Sequence, residues 1–144
     1  MKDKTYLVLL ADRERASMFT LLNGLIISKK ALRKGNVPQK VKHGDDTWDA
    51  QDKIFRHIED HLHRRLSYVA HEVEEFAKEN NVTDIVIGSH RPLFAKIEKH
   101  LPHHLQVQGK FVTELKGPFN LILKKASALV TKIEIEKKKG DNHK

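Results

Sequence analysis

The sequence predicts a single α/β domain with a mixed sheet of about five strands and a long helix that follows a flexible basic loop. Short, nearly continuous apolar runs are typical of strands that are covered on both faces. Between the later runs, apolar residues recur every three or four positions, as they do along one side of a helix. The length of 144 residues suits one domain. We expect this domain to occupy residues 1–133 and a charged flexible tail to occupy residues 134–144.

The first 28 residues are predicted to form a meander of three strands. Residues 6–11 are an almost unbroken apolar run. Residues 17–22 and 25–28 flank the pair Asn23 and Gly24. An Asn-Gly pair supplies the two positive φ angles of a type I′ turn, so this segment is predicted to be a hairpin.

Residues 29–47 lack clear periodicity and are predicted to form the flexible basic loop. No acidic residue occurs in this segment before Asp45. A loop of this length inside a compact domain is usually functional or disordered. Trp48 follows directly, and the cations of the loop are Lys29, Lys30, Arg33, Lys34, Lys40 and Lys42.

The rest of the chain is predicted to alternate helices and strands. A long helix over 49–80 is followed by a buried strand over 82–88, which completes a crossover back into the sheet. A short helix over 92–101 and a strand over 107–115 come next. A last helix covers 118–133.

The composition excludes some chemistry and favours one class of partner. The chain has no Cys, which excludes disulfides, thiolate zinc sites and cysteine nucleophiles. Its 27 Lys and Arg against 19 Asp and Glu give a net charge of +8, which favours polyanionic partners such as RNA, ribosomes or anionic lipid surfaces. The apolar stretch at 7–11 is too short for a signal peptide or a membrane span. We therefore expect a cytoplasmic protein without a membrane span or cofactor.

Two sets of residues have the chemistry of metal ligands, and each also has a simpler interpretation. His57 and His61 are four positions apart, a spacing that can chelate zinc, but further ligands are not evident. Asp12, with Glu14 beside it, could bind metals for phosphodiester hydrolysis. Asp84 begins its strand and would lie at the opposite edge if the two strands run parallel. We predict surface histidines, a turn at Asp12 and no metal.

Several short motifs occur in a fixed order along the chain. They are Ala11 to Ala16 with Phe19, His43-Gly44, the Arg- and His-rich helix, residues 85–89, Arg91-Pro92-Leu93-Phe94 and Leu115-Lys116. Over residues 5–133 this order resembles the bacterial proteins "required for attachment to host cells" and the wider bacterial and archaeal release-factor-like group. That group is similar in fold to the middle domain of eukaryotic and archaeal class-I release factors and of Pelota. The resemblance implies a release-factor middle-domain fold with ribonuclease H-like topology.

The resemblance also implies a candidate catalytic residue. In release factors of this type, the loop before the long helix carries Gly-Gly-Gln, which promotes hydrolysis of peptidyl-tRNA in the peptidyl-transferase centre. Gln51 corresponds in position to that Gln, whereas Asp49 and Ala50 stand in place of the two glycines. Whether the chain is an enzyme stays open. Because no companion domain is evident for reading codons or recruiting a GTPase, we do not expect stop-codon-dependent termination.

Our functional prediction is a stand-alone release-factor-like domain that binds ribosomes or tRNA, in translation rescue or stress. The loop cations and Trp48 are the candidates for contacting RNA, and Arg64, Arg65 and Arg91 are secondary candidates. Peptidyl-tRNA hydrolysis would depend on Gln51. Two alternatives are a non-enzymatic protein-interaction module linked to host attachment and a metal-dependent phosphodiesterase that uses Asp12.

Overall fold

A computed structural model describes the backbone of residues 4–33 and 48–141, and the side chains of residues 4–33 and 59–137. It confirms the predicted single α/β domain with a five-strand mixed sheet and a C-terminal helix. Along the chain the elements are β1 (Tyr6–Ala11), β2 (Ala16–Leu22), β3 (Leu25–Ala31), α1 (Trp48–Asn80), β4 (Asp84–Ser89), α2 (Arg91–His100), β5 (Gln106–Val112) and α3 (Phe119–Asp141).

The five strands have the order β3-β2-β1-β4-β5 across the sheet. β1 pairs antiparallel with β2, and β2 pairs antiparallel with β3. The pairs β1–β4 and β4–β5 are parallel, so the predicted crossover into β4 is confirmed. Because β1, β3, β4 and β5 run in one direction, their carboxyl ends meet at the same edge of the sheet.

Helices cover both faces of the sheet. On one face, α1 and α2 pack against β1, with Leu66 and Ile97 beside Leu9 in one apolar cluster. On the other face, α3 packs Ile122 near Val8 in a second cluster. The side chains of β1 are therefore buried on both sides, which explains why its sequence is a continuous apolar run.

The hairpin between β2 and β3 is confirmed, but its second strand is longer than predicted. Asn23 and Gly24 have φ angles of 52° and 80°, as the Asn-Gly turn requires. The sequence predicts that the strand ends at residue 28 and that the basic loop begins at residue 29. Instead, Lys29 and Lys30 lie on β3, which continues to Ala31. Backbone pairing with β2 continues as far as Ala31, and Lys30 directs its ammonium to an acid on α1.

The last two elements also differ from their predicted bounds. β5 ends at Val112 rather than at residue 115, because the chain turns there. The Gly117 N–H donates to the Glu114 carbonyl at 3.2 Å within that turn. α3 continues to Asp141, beyond the predicted helix end at residue 133. The division into a domain over 1–133 and a flexible tail stays a prediction.

Candidate nucleic-acid interface

Three connections meet where β1, β4 and β5 end. They comprise residues 12–15, residues 90–92 with the start of α2, and residues 113–118, and we call them the carboxyl edge. From β4 the chain continues to α2 on one face of the sheet, whereas from β5 it continues to α3 on the other. Connections that diverge in this way leave a crevice, which is where ligands commonly bind in α/β sheets.

Asp12 shapes the first of these connections. Its Oδ1 accepts hydrogen bonds from the N–H groups of Glu14 at 2.8 Å and Arg15 at 2.5 Å. The Asp12 N–H in turn donates to the Arg15 carbonyl at 2.9 Å. The carboxylate therefore holds a tight turn, in agreement with the turn interpretation from the sequence. Asp84 lies at the opposite edge, at the start of the parallel strand β4.

The connections surround a cavity of about 500 Å³. This volume lies within the range of about 300–1,000 Å³ that is usual for small-molecule sites. Cationic, acidic and apolar side chains share its wall. The lining residues are Asp12, Arg13, Glu14, His90, Pro92, Leu93, Glu114, Leu115 and Lys116.

Cations outnumber acids at this edge. Lys125 of α3 belongs to it in space, since its Nζ donates to the Val112 carbonyl at the end of β5, at 3.4 Å. Asp12, Glu14 and Glu114 are the acids. The cations are Arg13, Arg15, Arg33, Arg91, Lys116 and Lys125, and most of them are exposed. The electrostatic balance favours an anionic ligand.

Three of the predicted RNA-binding residues lie at or beside the carboxyl edge. Arg91 is exposed at the start of α2, and Arg33 is exposed where the chain leaves β3. Arg65 of α1 is buried, and its Nη2 donates to the carbonyl of Glu14 at 3.1 Å. Burial lowers the pKa of Arg65, and the nearby charge of Arg33 acts in the same direction. Arg65 thus stabilises the connection between β1 and β2 from inside the fold, whereas Arg33 and Arg91 face solvent.

Other predicted residues lie away from this edge or are already paired. Lys30 Nζ donates to Glu72 Oε2 at 3.1 Å, which ties β3 to α1. Lys29 is exposed on β3. Arg64 forms an exposed ion pair with Asp60 at 2.8 Å, one turn earlier on α1. The structure therefore separates these residues from Arg33 and Arg91.

The remaining predicted residues lie wholly or partly outside the described residues. Lys34, Lys40 and Lys42 belong to the undescribed segment 34–47. Trp48 and Gln51 have a helical backbone in the first turn of α1, and their side chains are not described. Their roles stay predictions.

Histidines of the described segments form contacts with one another and with the backbone. His63 Nδ1 lies 2.9 Å from His100 Nε2, and His100 Nδ1 lies 2.7 Å from the carbonyl of Lys96. The carbonyl only accepts, so His100 carries its proton on Nδ1 and His63 donates to Nε2 when both rings are neutral. Among residues whose side chains are described, no group of three His, Asp or Glu is placed to hold a metal ion.

Four cations of the carboxyl edge were not among the predicted RNA-binding residues: Arg13, Arg15, Lys116 and Lys125. The first three immediately follow β1 or β5, and Lys125 lies two turns into α3. Their position after strands could have identified them, because residues that follow parallel strands meet at one edge of a sheet. This inference requires the order of the strands, which the sequence alone did not establish.

Residues 1–129 match the model of bacterial archaeo-eukaryotic release factor family 10. The chain belongs to this family. Membership confirms the predicted release-factor resemblance and supports a role related to translation. The match does not test the name that refers to host attachment, so that part stays a prediction. No curated protein matches the chain.

Several solved structures share the fold, and two of them are as follows. One is described as an archaeal protein, with a TM-score of 0.54, 9% sequence identity and coverage of 95% of this chain and 41% of that chain. The other is the archaeal translation termination factor aRF1, with a TM-score of 0.51, 12% identity and coverage of 95% and 42%. This chain therefore spans less than half the length of either structure. Within the described residues, no helix is both long and apolar enough to cross a membrane.

Proposed function

We propose that this chain binds the ribosome or tRNA in the cytoplasm, through RNA phosphates that contact its carboxyl edge. The main support for the proposal is the convergence of cations from separate connections at one edge of the sheet, where Arg13 and Lys116 line the cavity and Arg15 and Arg91 are exposed nearby. Membership in a release-factor family supports RNA of the translation machinery as the polyanion. A role in rescue or in stress is part of the same proposal.

The physical basis is the release of counterions from RNA. Each cation that neutralises a phosphate increases the magnitude of the slope of log affinity against log salt, here called the salt slope, by about 0.9 in a duplex and about 0.7 in a single strand. Arg15, Arg91 and Lys116 are exposed and come from three different connections. Lys34, Lys40 and Lys42 follow Arg33 in the sequence, and we propose that they add to the same surface.

The test is equilibrium binding of deacylated tRNA at several salt concentrations. The edge variant combines Arg15→Gln, Arg91→Gln and Lys116→Gln. A control variant with the same change of charge combines Lys78→Gln, Lys99→Gln and Lys132→Gln. These three lysines are exposed, with Lys78 and Lys99 in the last turns of α1 and α2 and Lys132 beside Ile133, far from the carboxyl edge.

We expect the edge variant to lower the salt slope by about 2 and to weaken binding at least tenfold at low salt, because three phosphate contacts are lost. The control variant should keep nearly all of the affinity. Equal losses in the two variants would show that net charge alone attracts the RNA, and would refute the proposal.

Hydrolysis of peptidyl-tRNA through Gln51 is a separate part of the proposal. Family membership supports it, and the helical backbone at Asp49 and Ala50 differs from the flexible glycines that the resemblance implies. A Gln51→Ala variant should bind tRNA as tightly as the native chain and should lose hydrolysis of the peptidyl ester. Equal hydrolysis rates in both proteins would remove Gln51 from the mechanism.

Protein binding is the second candidate function, because β3 is the outermost strand of the sheet that the described residues form, and it carries two exposed apolar side chains. Leu25 is 67% exposed and Ile27 is 59% exposed. An outermost strand of this kind can pair with a strand of another protein. If this function is correct, Ile27→Lys should abolish association with a protein partner. The edge variant, whose substitutions lie at the carboxyl edge, should leave that association unchanged.

A further inference from the structure

A second cavity, of about 440 Å³, lies beside the first, between the end of β5 and the first turns of α3. We propose that this cavity holds an unpaired nucleotide of single-stranded RNA, with the flanking cations on the neighbouring phosphates. The inference rests on the proposed function and specifies the form of RNA that the carboxyl edge recognises. The volume suits a small ligand.

The wall of this cavity presents apolar surface to solvent. Leu121 is 54% exposed and Val112 is 46% exposed, and both line the cavity. They are two of the six large apolar side chains exposed within the described residues. Phe119, which is 42% exposed, lies at the same end of α3 but lines a separate cavity and packs edge-on against Phe19. Such clustering is typical of a binding site, and the face of an unpaired base is an apolar surface that can cover it.

The rim of the cavity includes a cation. A long hydrogen bond of 3.4 Å from Lys125 Nζ to the Val112 carbonyl places the ammonium beside the apolar wall. Glu114 is the one acid that lines the cavity among the described residues, and the first turn of α3 has no acid. His90 lines both cavities, so a single-stranded RNA that occupies the second cavity can continue into the first. The wall and the rim are thus suited to a base and its phosphate, respectively.

The combination favours a single strand over a duplex or an acidic peptide. In a duplex the bases are stacked inside the helix, so their faces cannot reach Leu121 and Val112. Carboxylates of an acidic peptide would neutralise Lys125 but would leave the apolar wall exposed. A nucleotide brings a flat apolar face and an anion in one unit.

Two matched pairs of substitutions on α3 test the proposal. Leu121→Ala alters the cavity wall, and Ile135→Ala is its control, because Ile135 is 49% exposed on the same side of the helix about four turns away. Lys125→Gln removes the cation at the rim, and Lys132→Gln is its control two turns further on. All four side chains are well exposed, and thermal melting would verify that each variant folds as the native chain does.

The probes are a labelled hexauridylate and a blunt-ended RNA duplex without unpaired nucleotides, each measured by fluorescence anisotropy. We expect Leu121→Ala to weaken hexauridylate binding about fivefold, because apolar contact with a base is lost, and to leave duplex binding unchanged. Lys125→Gln should lower the salt slope for hexauridylate by about 0.7. Neither control should change hexauridylate binding appreciably.

Three outcomes would overturn the inference. If Leu121→Ala changes the affinity of neither RNA while the edge variant weakens both, the cavity holds no nucleotide but the proposed function stands. If the native chain binds neither these probes nor tRNA, both proposals fail. If a polyglutamate peptide binds as tightly as hexauridylate and responds equally to Leu121→Ala, the occupant is an acidic peptide.

Discussion

The two edges of the sheet arrange their charged residues in opposite ways. At the amino edge, where β1, β4 and β5 begin, charged and polar groups bond to one another. Lys4 Nζ lies 3.1 Å from Asp84 Oδ2, and the Tyr6 hydroxyl donates to Glu134 Oε1 at 2.7 Å. At the carboxyl edge, Arg15 and Arg91 are exposed beside cavities. The charges of the amino edge thus stabilise the fold, whereas the cations of the carboxyl edge remain accessible to a ligand.

The largest expected effect is on stability, from Asp84→Ala at the amino edge. Asp84 is buried and also accepts a hydrogen bond from Gln108 Nε2 at 2.6 Å. Removing it leaves Gln108 and Lys4 without this acceptor, which should lower the free energy of unfolding by about 2 kcal/mol. Urea denaturation measures the loss. Well below the melting temperature, tRNA affinity should be unchanged, and a loss of affinity without a loss of stability would contradict the assigned roles of the two edges.

A smaller effect is expected from Tyr6→Phe, together with a change in pH dependence. The hydroxyl bond to Glu134 should contribute about 1 kcal/mol. Burial raises the pKa of Tyr6 above its ordinary value near 10, and the bond to Glu134 acts in the same direction. As the pH rises past about 10, the unfolded chain loses this proton while the folded chain keeps it, so the free energy of unfolding falls.

Tyr68→Phe is the matched control for that measurement, since the chain has two tyrosines. Urea denaturation between pH 8 and pH 11 should show a shallower decline for Tyr6→Phe than for Tyr68→Phe. Parallel declines in the two variants would mean that the Tyr6 hydroxyl does not contribute to alkaline unfolding.

The smallest expected effect is from Asp12→Asn at the carboxyl edge. The amide oxygen can still accept the bonds from the Glu14 and Arg15 N–H groups, so stability should change by less than about 0.5 kcal/mol. Removing one negative charge near the bound phosphates should raise tRNA affinity about twofold. Asp12→Ala lacks the acceptor and should lose about 1 kcal/mol of stability. If Asp12→Asn instead abolished a metal-dependent phosphodiesterase activity, Asp12 would be a metal ligand.

Elements with local signals were predictable from the sequence. The Asn23-Gly24 turn requires positive φ angles that few other pairs adopt, and the apolar run of β1 requires cover on both faces. The end of β3 was not predictable in the same way. Lys29 and Lys30 belong to β3 because they pair with Phe19 and Met18 of β2, and the Lys30 ammonium reaches Glu72, far along the chain. No local pattern carries that information.

The candidate site was predictable only in part. Arg33 and Arg91 were selected by charge and motif, and the structure places them at the carboxyl edge. Arg65 was selected on the same grounds but is buried, because it lies beside the apolar stripe of α1. Arg13 and Lys116 become neighbours only through the order β1-β4-β5. The charge of each residue is thus evident from the sequence, whereas which cations become neighbours depends on the order of the strands.

Co-sedimentation with ribosomes from a bacterial lysate at low and high salt tests whether the carboxyl edge binds RNA. It compares the native chain, the edge variant and the control variant in parallel. We expect the native chain and the control variant to pellet with ribosomes at low salt and to be released at high salt, while the edge variant stays in the supernatant at both. Pelleting of the edge variant to the same extent as the native chain would contradict the central claim that the carboxyl edge binds the RNA.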